Sequence, residues 1–409
     1  MTQAQGSAQL YLEWRVRLYR TGVYIGWVGF LNLGDEAMYE VCCERFPSIH
    51  WALFETIAYS LKPGQFLRRG SRDFRHIFRH VTDELTTNRR LRSVVTKAVH
   101  SVARWSGGEV GLCGGGTFIN RNADALNAYN LVRKRTGRLV PNFGNGVAHP
   151  EFWKGREAGW IDRRKDWVTT LEELPIVGVR GPISKALLDD AGARNVVVCG
   201  DPAVALHAPY AAKMLSERHP SPLRVGINAG DCVERLWGRA EDVQAALADL
   251  ALWLTQSGHA VEIIPVWPKD VEACVDVARR AQLDQSVVSP VCWSREAFMT
   301  RVEQLDLMVS LKLHAGILAA AANVPFVSLE YQPKCRDFAA SLGWEEFVIR
   351  TDELQPHRLI DRVSFLIERL ERQRRYLCQQ MCVLMHTFEN YCRDVEPLLL
   401  QQTKIQRPA

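Results

Sequence analysis

Short apolar runs alternate along this chain with longer stretches in which apolar residues recur every three or four positions. Residues 24–30 (YIGWVGF) predict a strand, followed by a glycine turn and a helix over 36–46. Residues 109–113 (EVGLC) predict a second strand ending in three glycines, then a helix over 123–136 and a strand over 139–143. A strand over 175–179 (PIVGV), a helix from Pro182 to Gly192 and a strand over 195–199 (NVVVC) complete this half. Strands that are nearly continuous in Val, Ile and Leu, separated by helices, predict a parallel sheet covered on both faces.

The pattern then restarts. Residues 216–222 (SERHPSP) are polar and proline-bearing and read as a linker. Strands over 223–228, 260–266, 307–311 and 325–329 alternate with helices over 241–256, 271–282 and 315–322. From Pro356 to about Asp394 the chain turns helical, with Leu359, Val363, Leu366, Ile367 and Leu370 at helical spacing. No fixed-period repeat relates the halves, so their likeness is one of architecture. The expected fold is α/β and GT-B-like: two Rossmann-like domains whose parallel sheets face each other across a cleft, plus C-terminal helices. The expected boundaries are 1–215 for an acceptor-side domain, 222–355 for a donor-side domain and 356–409 for the helical segment. A ligand is expected in the cleft, at the carboxyl ends of the strands.

Composition narrows the class. With 409 residues, 47% of them hydrophobic, the chain is too apolar to be disordered or collagen-like. A net charge of +5, from 51 basic and 46 acidic residues, is too weak to argue for nucleic acid. The amino terminus lacks the pattern of a secretory leader, and no apolar run reaches the roughly 20 residues of a membrane span. A cytoplasmic protein is therefore expected, with its eleven cysteines reduced. No metal is expected, because no CxxC pair occurs and Cys42-Cys43 and Cys378-x3-Cys382 lack a His/Cys pair at finger spacing.

Chemistry is expected in the loops. The first, Gly29 to Ala37, has the G-x4-G spacing of a P-loop, but Asp35 stands where the lysine belongs, and G-x-G-x-x-G is absent. Nicotinamide and flavin dinucleotides are thereby disfavoured. Asn32, Gly34 and Asp35 precede a helix, where Asp35 reads either as an N-cap or as a carboxylate holding sugar hydroxyls. Gly114, Gly115 and Gly116 after a strand offer backbone N–H groups to a ligand or simply a tight turn. His149 lies on a loop at the same end of the sheet.

Arg180 precedes Gly181-Pro182 at a helix start and suits a carboxylate or phosphate, or else pairs with Asp201. Lys312 and His314 open a helix where the dipole disfavours positive charge, which points to an anionic ligand or else to an interdomain salt bridge with a neutral capping histidine. Lys334 is a further cation at this end of the sheet. The basic stretch from Arg68 to Arg104 reads as a solvated face or as contact with an anionic membrane surface, and it lacks the aromatic interleaving of a single-strand nucleic-acid binder.

Taken in order, NLGDEA, CGGGTFI, the GNGV loop, VRGPIS, the VVVCGDPAVAL run and LKLHAGILAAAANVPFVSLEYQPK resemble the polysaccharide pyruvyl transferases over about residues 24–345. The resemblance implies a GT-B-like fold. It also implies transfer of the pyruvyl group of phosphoenolpyruvate to two hydroxyls of one sugar as a cyclic ketal. No cofactor is implied beyond phosphoenolpyruvate as co-substrate; the implied acceptor is a free or lipid-linked saccharide, and the oligomeric state stays open, a homo-oligomer included. It assigns donor binding to Arg180, Lys312 and His314, with Lys334 nearby. His314 is then the first candidate for acid–base work, His149 the second, and Asp35 the holder or base for the acceptor hydroxyls. The sequence departs from the family pattern in one respect: Lys312 stands where arginine is usual, so a point charge replaces a bidentate fork. The alternatives are a GT-B glycosyltransferase using a nucleotide sugar, with Glu330 reading the ribose, and an inactive glycan-binding homologue.

Overall fold

The computed structural model describes residues 20–28, 32–54, 109–157, 159–207, 222–232 and 235–400. The basic stretch from Arg68 to Arg104 and most of the expected linker lie outside the described residues.

The first half begins with β1 (Arg20–Ile25), α1 (Leu33–Arg45) and β2 (Ile49–Phe54). It continues through β3 (Val110–Gly114), β4 (Thr117–Ile119), α2 (Ala123–Thr136), β5 (Asn142–Phe143) and β6 (Gly146–Val147). The short α3 (Pro150–Trp153), α4 (Arg164–Leu171), β7 (Val177–Val179), α5 (Pro182–Asp189) and β8 (Val196–Val198) close it. The main sheet has the order β2-β1-β3-β5 with every pairing parallel. All five residues of β3 are buried, as a strand covered on both faces requires. β4 pairs with β6 and β7 with β8, and a bridge between Asn145 and Val179 joins β7 to the loop after β5.

The second half contains β9 (Arg224–Asn228), α6 (Ala240–Gln256), β10 (Ala260–Ile263), α7 (Val271–Arg280) and α8 (Arg295–Val302). After them come β11 (Leu307–Ser310), α9 (Leu313–Ala321), β12 (Phe326–Glu330), α10 (Pro333–Ala340) and β13 (Val348–Arg350). These strands form a parallel sheet of order β10-β9-β11-β12-β13. The chain ends its described part with α11 (Pro356–Glu368) and the long α12 (Leu370–Leu400).

The last helix returns to the first half. Its buried residues Leu377, Met381, Leu384, Phe388, Tyr391, Val395 and Leu399 follow helical spacing. Phe388 packs 5.1 Å from Phe143, ring centre to ring centre. The Tyr391 hydroxyl donates to the carbonyl of Asn142 at 2.6 Å and accepts from the N–H of Gly178 at 2.9 Å. One continuous apolar core therefore runs from α1 through the second sheet to α12.

Most sequence-predicted strands and helices stand where expected, with shorter strands, but the first strand is displaced toward the amino terminus, to Arg20–Ile25 in place of 24–30. α1 starts three residues earlier than its pattern suggests, because Asn32 caps it by accepting from the N–H of Gly34 at 3.3 Å. The pattern did not announce β2, β4, β6, β13, α3, α4, α8 or α10. β4, β6 and β13 are two or three residues long, too short to show a period.

Candidate functional site

Loops at the carboxyl ends of β1, β3 and β7 in the first half, and of β10, β11 and β12 in the second, converge on one cavity of about 140 Å³. The first half contributes Asn32, Asp35, Gly116, Thr117 and Arg180. The second contributes Val266, Trp267, Asp270, Lys312, Leu313, His314, Tyr331 and Lys334. This is the place a doubly wound sheet offers a ligand, because the strand ends leave crevices there that loops can line.

Asp35 sits in the first turn of α1, with Asn32 as the cap instead. Burial pushes its carboxyl up to about 6, although His314 and Lys334 pull the other way. Gly34, beside it, explains how the halves meet so closely: a Cβ at that position would lie 1.9 Å from the His314 ring. The three glycines divide their work. A Cβ on Gly114 would strike Tyr24 and one on Gly115 would strike Met38, so both are there for packing. Gly116, with φ +72°, faces the cavity.

Arg180 is fully buried. Its Nε donates to Asp201 Oδ2 at 2.8 Å, and Nη1 reaches Thr117 Oγ1 at 3.5 Å. Nη2 has no hydrogen-bond partner. The sequence reading in which Arg180 pairs with Asp201 is seen here: one nitrogen is spent on that carboxylate, while another has no acceptor. A buried guanidinium nitrogen without an acceptor is costly, at about 1–3 kcal/mol or more for a charged group. Asp201 also lies 3.7 Å from His314 Nε2, an ion-pair distance too long for a hydrogen bond. Burial pushes the Asp201 carboxyl up, but Arg180 and His314 outweigh it and hold the group below the usual carboxylate range.

Lys312 caps α9 by position, and its Nζ lies 3.4 Å from Asp270 Oδ1 while donating to the carbonyl of Asp231. Asp270 is fully buried and its Oδ2 is unpaired. Burial raises its carboxyl, with Lys312 opposing. Lys334 has no carboxylate within salt-bridge reach among the described residues, and its Nζ rests 4.8 Å from the centre of the Tyr331 ring. Burial lowers its ammonium to about 8, and Arg180 and Lys312 add to that fall. The side chains of Arg180, Lys312 and Lys334 therefore line one small cavity from three different loops.

The sequence-predicted residues Asn32, Asp35, Gly116, Arg180, Lys312, His314 and Lys334 meet at this cavity. His149 does not line it. It occupies the position before α3, its Nδ1 is buried without a partner, and burial lowers its basicity. Sequence reasoning missed Thr117, Trp267, Asp270 and Tyr331, which lie within a few residues of strand ends. It also missed the clamp behind the site. Asp337 of α10 accepts from the N–H groups of Ile183 and Ser184 at 2.9 and 3.0 Å and from the Ser184 hydroxyl. That carboxylate caps α5 across the cleft, tying the loop of Arg180 to the helix of Lys334. Asn145 braces the glycine loop by donating to the carbonyl of Gly115 at 2.9 Å, and its own carbonyl accepts from the N–H of Arg180 at 3.0 Å. Glu330 lies outside the cavity and accepts from Arg336 Nε at 2.7 Å.

The sequence profile described as polysaccharide pyruvyl transferase matches residues 32–333. A putative UDP-N-acetylglucosamine 2-epimerase from Listeria monocytogenes superposes with a TM-score of 0.55 at 12% identity, over 94% of this chain and 98% of that one. UDP-GlcNAc 2-epimerase from Neisseria meningitidis, bound to UDP-GlcNAc, gives 0.53 at 11% identity, over 94% and 100%. The S. aureus MnaA–UDP complex gives 0.52 at 10% identity, over 95% and 99%. At such identities the likeness shows a shared GT-B fold and nothing about substrate. A search of curated proteins gives no significant match.

Proposed function

This chain belongs to the polysaccharide pyruvyl transferase family, and from that premise we propose that it moves the pyruvyl group of phosphoenolpyruvate onto two hydroxyls of one sugar, closing a cyclic ketal and releasing phosphate. The family makes it a transferase. The donor reading rests on one observation above all: buried Arg180, one of whose guanidinium nitrogens has no acceptor, lines the same cavity as Lys312 and Lys334. Phosphoenolpyruvate brings a carboxylate and a phosphate, and converging cations are what such a dianionic ligand requires.

In this reading Arg180 Nη2 and Lys334 hold the donor's anionic groups, and Lys312 adds charge from the second half. His314, between Gly34 and Asp201, supplies acid–base function at the reacting carbons. Asp35, with its carboxyl near 6, takes the proton of the attacking hydroxyl. The balance closes without a cofactor. The methylene carbon gains a proton, the first sugar oxygen bonds to the adjacent carbon, and the second oxygen displaces phosphate. One hydroxyl proton ends on the methyl group and the other on the phosphate.

The nucleotide-sugar alternative finds less support, since Glu330 is engaged by Arg336 away from the cavity. Thermal shift separates the two. Phosphoenolpyruvate raises the melting temperature and UDP or GDP does not; stabilisation by a nucleotide and not by phosphoenolpyruvate would overturn the donor assignment.

A further inference from the structure

A second cluster of chemistry-bearing side chains lies apart from the cavity. His207 ends the 3-10 turn after β8, and Cys378 and Cys382 stand one turn apart on α12. Their ligand atoms all lie within 4.8 Å of one another. His207 and Cys378 are buried and Cys382 is half-buried.

We propose that His207, Cys378 and Cys382 form a zinc site that locks α12 and the end of the first half to the carboxyl end of α9. The imidazole is already oriented as a ligand. Its Nδ1 donates to the carbonyl of Ala321 at 3.1 Å, which leaves the Nε2 lone pair facing Cys382 Sγ at 3.4 Å. A backbone carbonyl on the far nitrogen is the usual partner that fixes the tautomer of a metal-binding histidine. The spacing suits the ion as well: Zn–S bonds of about 2.3 Å and Zn–N bonds of about 2.0 Å at tetrahedral angles put N and S about 3.5 Å apart. One nitrogen and two thiolates are a donor set that zinc takes readily. Three protein ligands leave a fourth position, which a water would fill.

The expectation of no metal rested on finger spacing, and that criterion looks only along the chain. His207 is 175 positions from Cys382 and arrives through the fold. The location gives the ion a purpose. α9 begins at the cavity with Lys312 and His314 and ends at Ala321, whose carbonyl holds His207. Zinc there fixes the far end of the helix that presents both residues.

The test is metal stoichiometry on the full chain. Apo protein prepared with a chelator is titrated with Zn2+, and separately with Co2+ while sulfur-to-cobalt charge transfer and the visible ligand-field bands are followed. The expected result is one equivalent bound per chain, a tetrahedral cobalt spectrum, and loss of both in Cys382→Ser and in His207→Gln. Cys382 is half-exposed, so that variant tolerates the change, and circular dichroism checks that it folds. With eleven cysteines present, adventitious binding is the competing outcome. Uptake that is unchanged in both variants, or no stoichiometric uptake by the folded wild-type chain, overturns the proposal.

Discussion

At the residue scale, Arg180 gives its Nε to Asp201 while its Nη2 has no acceptor, and the proposed donor site uses that second nitrogen. Arg180→Lys keeps a charge for buried Asp201 but loses the fork, so it cannot serve both. The expected outcome is a fall in kcat/KM for phosphoenolpyruvate of roughly 100- to 1000-fold, the usual effect of removing one donor from a developing anion. Initial rates of phosphate release measure it, and an unchanged value would remove Arg180 from the donor site. Lys334 sets a pH limit. Its ammonium, lowered to about 8, is charged below that pH and neutral above it. Donor binding by kcat/KM is therefore expected to decline as pH rises through 8. Lys334→Arg keeps the charge at every accessible pH and is expected to abolish that decline; a decline that persists unaltered assigns it to another group. On the acid side, Asp35 is a carboxylate only above about 6, so activity is expected to rise through that pH.

At the scale of elements, two of the contacts between the halves lie beside the cavity. Gly34 at the start of α1 admits the His314 ring at the start of α9. Gly34→Ala places a methyl carbon 1.9 Å from that ring, and such overpacking costs about 1–3 kcal/mol. The expected result is a displaced imidazole, seen as a large loss in kcat with a modest fall in melting temperature. The cap from Asp337 to α5 is the other contact. Asp337→Ala leaves the N–H groups of Ile183 and Ser184 without their acceptor, a loss of about 0.5–2 kcal/mol by the usual worth of a cap. It is expected to lower the urea midpoint and weaken donor binding together, since α5 follows Arg180 directly. The long-period features of these elements were legible in sequence: the apolar strands, the Pro182 helix start, and cations at strand ends. The cap by Asp337 was not. It joins residues 153 and 154 positions apart, and nothing local in PKCRDFAA distinguishes a capping aspartate from a solvated one. Likewise nothing local marks Asp270 as a site residue; the fold brings Lys312 beside it. His149 shows the converse, for it lies two residues past the end of β6 yet is not among the residues that line the cavity.

At the scale of the whole molecule, α12 makes two sheets into one body by crossing back onto the first. Tyr391→Phe removes both bonds of its hydroxyl, to Asn142 and Gly178. Leaving those buried backbone groups unpaired is expected to lower stability by about 1–3 kcal/mol each at most, read as an earlier denaturant transition with the cavity residues unchanged. The helical tail was visible as a period, but its docking on the other half was not, because a heptad-like stripe does not name its partner. No helix among the described residues is long and apolar enough to cross a membrane. Pyruvyl transfer is the activity proposed for this chain. Its most direct test is to incubate the protein with phosphoenolpyruvate and a panel of glycosides bearing paired hydroxyls, and to weigh the products. The expected product is an acceptor heavier by pyruvic acid less one water, formed in step with one released phosphate and sharply reduced with Arg180→Lys. Sugar transfer from a nucleotide donor, or no ketal with any diol while phosphoenolpyruvate is bound, would contradict it.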